Sequence, residues 1–277
     1  MNLPFLPFDA GHDAPVWLAE RLADHALAWY AAGLGVVMLA AVAGWLLLRR
    51  VVRPHAPGLP LPPLQLVLRL ALGLLALAGA GLLFAETADE LADGEESLGR
   101  FDEALAARLA QTLSPAVLRG FASVTHLGDV LTLTLLCVAV AAVLLWRRRR
   151  TLAWAWVLAC AGGGVLNRLL KSAFERVRPV HEHGFAAADG YSFPSGHTSG
   201  AVVVYGMLAY LLLRHLPPRW HLPVVAATAA LVFTVACSRV VLQVHWASDV
   251  IAGFASGTAW LLMCVLVIEW LRRPRRP

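Results

Sequence analysis

Long runs of apolar residues recur through this chain, each close to the roughly 20 residues that a helix needs to cross the hydrocarbon core of a bilayer. The runs predicted as transmembrane spans cover about residues 26–48, 64–85, 130–146, 151–170, 197–214, 222–237 and 250–271. The composition agrees, since 59% of the residues are hydrophobic and only 15% are charged. The sequence therefore predicts an all-α, polytopic membrane helical bundle.

Arginines at the ends of these runs predict how the chain crosses the membrane. They follow the first span at residues 49–53, the third at 147–150, the fifth at 214–219 and the seventh at 272–276. Alternation of seven spans places all four clusters on one side, which the positive-inside rule identifies as cytoplasmic. The N-terminus is then outside the cell and the C-terminus inside. The net charge of +5 is explained by this topology, and no nucleic-acid partner is expected.

Two polar segments lie outside the spans. Residues Met1 to Asp24 are rich in Pro and Asp and predict an exposed, partly ordered tail. Between the second and third spans, apolar residues recur three and four apart at Leu98, Phe101, Leu105, Leu109 and Leu113. The charged residues assigned to the opposite, solvated face are Arg100, Asp102, Glu103 and Arg108. This pattern predicts an amphipathic helix in the plane of the membrane interface.

Three polar clusters interrupt the apolar sequence further along the chain. The first runs from Lys171 to Pro179, the second from Pro194 to His197, and the third from Ser238 to Asp249. Two apolar spans separate the second cluster from the third. A hairpin that crosses the bilayer twice therefore returns all three clusters to one membrane face, which is extracytoplasmic in the predicted topology.

The first cluster supplies two cations. Lys171 and Arg178 are seven residues apart, so they share one face if the helix continues as far as Pro179. Together they can clamp the oxygens of a phosphate, the guanidinium through a paired contact. Anchoring at the membrane interface is the alternative. However, Lys171 is the only lysine among 23 basic residues, and a simple anchor could have been arginine as elsewhere in the chain.

The second cluster combines a glycine turn with a histidine. Gly196 lets the backbone approach a ligand closely, and the N–H groups that open the next span form a natural cradle for an oxyanion. Ser195 can add a hydroxyl donor, although a simple helix cap explains this serine equally well. His197 projects from the same turn, and an incidental interfacial histidine is its alternative interpretation.

The third cluster places a histidine four residues before an aspartate. On a helix this spacing brings His245 and Asp249 together. A carboxylate bonded to one ring nitrogen fixes the tautomer and leaves the other nitrogen free to attack. Arg239 lies six residues before His245, at the outer end of the sixth span. Such a pair alone is more often structural, so the joint occurrence of the three clusters is the informative observation.

The three clusters together resemble the motifs of the type 2 phosphatidic acid phosphatase (PAP2) superfamily, which read KxxxxxxRP, PSGH and SRxxxxxHxxxD. All three match here without a substitution and in the same order. The resemblance implies a six-span membrane phosphatase domain, here residues 64–277. Residues 1–63 then hold the N-terminal tail, one extra span and a Pro-rich linker from Pro54 to Pro63.

The resemblance also implies a role for each matching residue. His245 is expected to be the nucleophile that becomes a phosphohistidine, Asp249 to orient it, and His197 to act as the general acid. The residues expected to bind the phosphate oxygens are Lys171, Arg178, Ser195, Gly196 and Arg239. Because fixed cations supply the electrostatic stabilisation that a metal would otherwise provide, no metal or other cofactor is expected.

The predicted function is a metal-independent lipid phosphate or diphosphate phosphatase of the inner (plasma) membrane, acting at its extracytoplasmic face. Undecaprenyl diphosphate, phosphatidylglycerol phosphate, phosphatidic acid and a lipid A phosphate are all candidate substrates. A lipid phosphotransferase would use the same intermediate with another acceptor. A transporter or scramblase is a third possibility, although its charges would lie at the membrane midplane. The vanadate-dependent haloperoxidases share the anion pocket, but they are soluble.

Overall fold

The chain forms a bundle of α-helices in a computed structural model that describes residues 13–51, 63–92, 96–180 and 183–271. Within these ranges the helices are α1 (Ala14–Asp24), α2 (Ala26–Val51), α3 (Pro63–Ala92), α4 (Glu96–Thr112), α5 (Pro115–Thr125), α6 (Val130–Trp146), α7 (Arg150–Phe174), α8 (Gly196–His215), α9 (His221–Val241) and α10 (Ala247–Leu271). The predicted linker before Pro63, Arg53 and the C-terminal arginines lie outside the described residues.

The long helices agree with the predicted membrane spans. Those long and apolar enough to cross a bilayer are α2, α7, α8, α10, the 71–91 part of α3, and α9 with the turn before it. At 17 residues, α6 reaches that length only together with α5, and the two helices are bent by 41° at the break between them. The described chain therefore has six candidate spans, or seven if this bent pair forms one span.

The helix α8 lies at the centre of the bundle, where it packs against α6, α7, α9 and α10. More than half of its apolar window is buried, against a third or less for every other candidate span. Glycines allow its neighbours to come this close. A Cβ atom on Gly257 of α10 would lie 3.0 Å from the backbone of Ser199, and one on Gly206 would lie 2.4 Å from Leu261. Small residues at helix contacts are the usual device for tight packing in membranes.

The N-terminal segment differs from the prediction, because residues 14–24 form helix α1 rather than an exposed tail. Ala19 and Ala23 of α1 are buried against Leu105 and Leu109 of α4. The apolar stripe of the predicted amphipathic helix is therefore covered by α1, whose small side chains permit close approach. Two ion pairs flank the contact, Arg100 with Asp13 at 2.8 Å and Arg108 with Asp24 at 2.7 Å.

The helix α2 packs along α9, from Tyr30 beside Phe233 to Trp45 beside His221. The hydroxyl of Tyr30 on α2 lies 2.9 Å from the hydroxyl of Thr234 on α9. The Tyr30 ring also stacks on Phe233 with centroids 6.0 Å apart, and meets Phe121 of α5 edge-on at 5.2 Å. The helix α2 is thus fixed to the bundle by a hydrogen bond and two aromatic contacts.

We expect Gly257→Val to destabilise the protein through the contact between α8 and α10. The new side chain meets backbone atoms of Ser199, which cannot rotate away, and overpacking of this kind costs about 1–3 kcal/mol. Gly79→Val is the matched control, since a Cβ on Gly79 of α3 meets nothing within 4 Å. Thermal unfolding in detergent measures both variants. An equal melting temperature for the two would contradict the tight α8–α10 contact.

Candidate active site

The three polar clusters meet where α7 and α9 end and where α8 and α10 begin. The helix α7 ends at Phe174, Glu175 adopts a left-handed φ of 47°, and the chain continues as a loop through Arg178. The prediction that Lys171 and Arg178 share one face of a continuing helix is therefore wrong. The loop nevertheless returns Arg178 to the same place, where it contacts the third cluster at His245.

His245 has a polar partner on each ring nitrogen. Its Nδ1 lies 3.1 Å from Oδ2 of Asp249, and its Nε2 lies 3.1 Å from Nη1 of Arg178. A carboxylate only accepts hydrogen bonds and a guanidinium only donates them. The ring proton is therefore on Nδ1, and Nε2 carries the free lone pair. This is the tautomer in which Nε2 can act as a nucleophile.

Burial keeps the His245 imidazole uncharged. The residue is only 3% exposed, and this burial lowers the pKa of His245 to about 3. The hydrogen bond and negative charge of Asp249 oppose the shift, while the charges of Arg178 and Arg239 add to it. The ring is thus neutral throughout the physiological pH range, with its lone pair available.

Asp249, in the first turn of α10, is completely buried and joins the second and third clusters. Its Oδ2 accepts from the backbone N–H of Trp246 at 3.0 Å as well as from His245. Its backbone carbonyl accepts from the N–H of Ser195 at 2.9 Å. One residue therefore orients the histidine ring and sets the position of the PSGH turn.

Arg176, for which the sequence indicated no catalytic role, is the third partner of Asp249. Its Nη1 donates to Oδ1 of Asp249 and to the hydroxyl of Ser248, both at 2.7 Å. Its Nη2 donates to Oδ2 of Asp102 at 2.9 Å. The guanidinium thus holds two buried carboxylates and connects α4 to the start of α10.

The prediction that Asp102 lies on the solvated face of α4 is wrong, because this residue is buried and only 2% exposed. It also accepts hydrogen bonds from the backbone N–H of Ser248 at 3.2 Å and from the Ser248 hydroxyl. Burial raises the pKa of Asp102, and these bonds together with Arg176 oppose the shift. The sequence held the signal, since Asp102 follows Leu98 by four residues and precedes Leu105 by three, within the apolar stripe.

The cations of the first cluster are held by backbone carbonyls of one loop. Nζ of Lys171 donates to the carbonyls of Tyr191 and Ser192, the latter at 3.1 Å. Nη2 of Arg178 donates to the same Tyr191 carbonyl at 3.1 Å, and its Nε to the carbonyl of Gly190 at 2.9 Å. The ammonium and the guanidinium therefore share an acceptor, and their positive charges lie next to each other.

Arg239 supplies the third cation and is only 2% exposed. Its Nη1 donates to the hydroxyl of Thr125 at 2.6 Å, whereas its buried Nε has no hydrogen-bond partner among the described residues. A buried guanidinium with an unpaired N–H is costly unless an acceptor reaches it. An oxyanion between Arg239 and the other cations would supply that acceptor.

Ser195 and Gly196 form the start of α8. The Ser195 hydroxyl accepts from the backbone N–H of Thr198 at 3.5 Å and from its hydroxyl at 3.0 Å, so the serine does act as a helix cap. A Cβ on Gly196 would lie 3.0 Å from the side chain of Asn167 and 3.9 Å from that of Lys171. The absence of a side chain thus leaves the first N–H groups of α8 close to the ammonium.

His197 has a carboxylate partner that the sequence analysis missed. Its Nε2 lies 2.7 Å from Oδ1 of Asp129, and the other oxygen of Asp129 lies 2.7 Å from Nδ1 of His126. Asp129 immediately precedes α6 and belongs to none of the three clusters, so spacing alone did not indicate it. His197 has no direct hydrogen bond to His245 in the described structure. The two histidines are connected through the Ser195–Asp249 backbone bond.

The described residues contain no group of three or more His, Cys, Asp or Glu side chains arranged to hold a metal ion. The polar groups that converge are instead three cations, two histidines and the N–H groups at the start of α8. This set can hold a tetrahedral oxyanion and present Nε2 of His245 to it.

Comparisons with known proteins point to one family. The PAP2 superfamily profile matches residues 152–273. Phosphatidylglycerophosphatase B of Bacillus subtilis is 34% identical over 173 residues, which are 60% of this chain and 81% of that protein. A lipid A 1-phosphatase of Rhizobium johnstonii is 35% identical over 114 residues, 38% of this chain and 43% of the relative. The crystal structure of the transmembrane PAP2-type phosphatidylglycerolphosphate phosphatase from Bacillus subtilis aligns with a TM-score of 0.63 at 29% identity, covering 72% of this chain and 98% of that one.

We expect Asp102→Asn to reduce phosphate release strongly, although Asp102 does not touch His245. Loss of its charge leaves Arg176 with one carboxylate, so Asp249 and the imidazole shift, and a displacement of about 1 Å can cost about 10²-fold in rate. Glu103→Gln is the control, since Glu103 is the next residue and is exposed. The measurement is kcat with saturating substrate. Equal kcat for the two variants would show that Asp102 does not position the site.

We expect the stability that His245 contributes to fall as the pH is lowered. Its pKa is about 3 in the folded protein and about 6.5 in the unfolded chain, so the unfolded chain binds the extra proton between these values. Relative to His245→Asn, the wild-type protein should lose about 2 kcal/mol between pH 7.5 and pH 5. Chemical or thermal unfolding in detergent at the two pH values measures this difference. A difference that does not change with pH would mean that the buried imidazole accepts a proton.

Proposed function

Because this chain belongs to the PAP2 superfamily and resembles its membrane lipid phosphatases, we propose that it releases phosphate from a membrane lipid through a phosphohistidine on His245. The observation that carries the proposal is the placement of the ring between Asp249 and Arg178, each 3.1 Å away. A buried, neutral imidazole with a fixed tautomer and a cation opposite its lone pair is suited to attack on phosphorus.

In the proposed first step, Nε2 of His245 attacks the phosphorus and the bond to the lipid oxygen breaks. His197 donates a proton to that leaving oxygen, so the lipid departs as a neutral alcohol, or as the shorter phosphate if the substrate is a diphosphate. In the structure, Nη1 of Arg178 lies 3.1 Å from Nε2 of His245. The phosphoryl group must therefore enter between them, and the guanidinium then turns from the ring to the phosphate oxygens.

In the second step, water attacks the phosphohistidine and His197 takes up the proton that this water loses. The bond between Nε2 and phosphorus breaks, inorganic phosphate leaves, and His245 regains its free lone pair. Lys171, Arg178 and Arg239 stabilise the negative charge on the equatorial oxygens in both steps, together with the N–H groups of Gly196 and its neighbours. Asp129 holds the His197 ring in place during both transfers.

The active site is proposed to face outwards. The helices α7 and α9 run from arginine-rich ends towards the site, while α8 and α10 run from the site to the opposite ends. Arg147 to Arg150 and the Arg214–Arg219 turn therefore lie together at the far side of the bundle, where the positive-inside rule expects the cytoplasm. An outward site in the plasma membrane would act on lipids of the outer leaflet.

The proposed substrate is a lipid phosphate, and phosphatidylglycerol phosphate is the first candidate. The relative with the longest matched stretch is named for that phosphatase activity, and the shorter match is named for a lipid A phosphatase. The three adjacent cations fit a dianionic phosphate monoester, which carries more charge than a phosphodiester and exposes three equatorial oxygens to them. A panel of purified lipid phosphates would rank these candidates.

We expect His245→Asn to abolish phosphate release while the protein remains folded. With ³²P-labelled lipid phosphate, rapid acid-free quenching of the wild-type enzyme should capture label on His245, and His245→Asn should carry none. His183→Asn is the control, because His183 belongs to none of the three clusters and its Nε2 bonds to the backbone carbonyl of Leu242 rather than to a cation or to His245. Release measured in EDTA should equal release without it. Residual turnover in His245→Asn above about one thousandth would contradict the proposed nucleophile.

A further inference from the structure

An apolar groove of about 270 Å³ opens between α2, α5 and α9. The residues that line it are Leu27, Tyr30, Val117, Gly120, Phe121, Val124 and Thr234. Leu27 is half exposed and Gly120 is exposed, so the groove is open towards the surroundings of the bundle. Its volume is close to the lower end of ligand pockets, which suits a section of hydrocarbon chain better than a whole lipid.

The groove and the cation Arg239 meet at helix α5. The groove's lining residues on α5 recur three and four apart, from Val117 to Val124. The next residue, Thr125, ends α5 and accepts the hydrogen bond of Arg239. Gly128 lies in the short 3-10 turn that follows, where a Cβ would lie 3.0 Å from the ring of His197. Gly120 and Thr125 are about 8 Å apart along the axis of α5 at the helical rise per residue.

We propose that this groove binds the hydrocarbon chain of the lipid phosphate while its phosphate lies among Lys171, Arg178 and Arg239. This inference rests on the proposed function and adds a specificity site to it. A lipid whose phosphate reaches the buried cations must carry its chain past the rim of the site. The face of α5 leads from Arg239 to an apolar surface, where a hydrocarbon chain can pack against Val117, Phe121 and Val124.

The additional span is what makes this a groove rather than an exposed helix face. Leu27 and Tyr30 of α2 form one wall, and Tyr30 is fixed by its hydrogen bond to Thr234 and its contacts with Phe121 and Phe233. Of the lining residues, only Thr234 falls within the stretch that the family profile matches. The proposed chain site is therefore built mainly from parts of this protein outside the region that holds the cations and His245.

Gly120→Phe tests the proposal, because a Cβ on Gly120 meets nothing within 4 Å and the ring can fill the groove without disturbing α5. The probes are two phosphatidic acids with the same head group, one with dioleoyl chains in detergent micelles and one with dihexanoyl chains in solution. We expect kcat/KM for the dioleoyl lipid to fall by about tenfold or more, because the ring takes the space of a chain segment that the groove holds by packing contacts. Hydrolysis of the dihexanoyl lipid should stay within about twofold of wild type.

Gly44→Phe is the matched control, since Gly44 lies on α2, its added Cβ also meets nothing, and it is about 20 Å along the helix from Tyr30. It should leave both substrates unchanged, and Gly120→Phe should melt at the wild-type temperature. Equal effects of Gly120→Phe on the two lipids, or no effect on either, would overturn the groove as the chain site. Those results leave the proposed function intact, whereas failure of the wild-type protein to release phosphate from any lipid of the substrate panel would overturn both.

Discussion

The rest of the site depends on the hydrogen bonds that the buried Asp249 makes. It accepts hydrogen bonds from His245, from the N–H of Trp246 and from Arg176, and its carbonyl holds the N–H of Ser195. A carboxylate with no exposure to water is tolerated only when its charge is paired and its oxygens are bonded. Three elements therefore meet at Asp249: the loop that carries Arg176, the first turn of α10 and the start of α8. The active-site geometry is a consequence of satisfying one buried charge.

The positive charges present the opposite problem, because three cations lie close together and none of them forms an ion pair with a carboxylate of the described residues. In the structure Lys171 and Arg178 are compensated by carbonyl dipoles from residues 189–192, and Arg239 by the Thr125 hydroxyl. Carbonyls offset a cation less than a full negative charge does, so the cluster retains a strong affinity for an anion. A phosphate that enters removes the mutual repulsion of the cations. In the proposed mechanism, phosphate binding is thereby coupled to the release of Arg178 from Nε2 of His245.

The sequence predicted the helical bundle, the approximate bounds of its spans and the residues that converge, because both apolar length and motif spacing are local signals. The sequence did not predict hydrogen-bond partners that come from an element far away in the chain. Asp129 pairs with His197 across 68 residues and Asp102 with Arg176 across 74, and no spacing rule links them. The α1 helix was mistaken for a tail because its two buried alanines carry almost no hydrophobic pattern of their own. Arg178 was predicted on a helix, yet the chain leaves α7 at Glu175 and reaches the same point by a loop.

The helix α2 bears on how the proposed groove acquires specificity. The cations and the His245 ring are held by α7 to α10, where glycines and buried polar bonds leave little room for change. A helix added at the periphery meets weaker constraints, because it needs only one packed face, here the Tyr30 contacts on α5 and α9. Substitutions on its free positions alter the apolar surroundings of the substrate without displacing Asp249 or Arg176. Chain recognition in the proposed groove is therefore largely separable from phosphate chemistry, because α2 and α5 line most of the groove, and α9 is the helix that carries both a groove residue, Thr234, and a cation, Arg239.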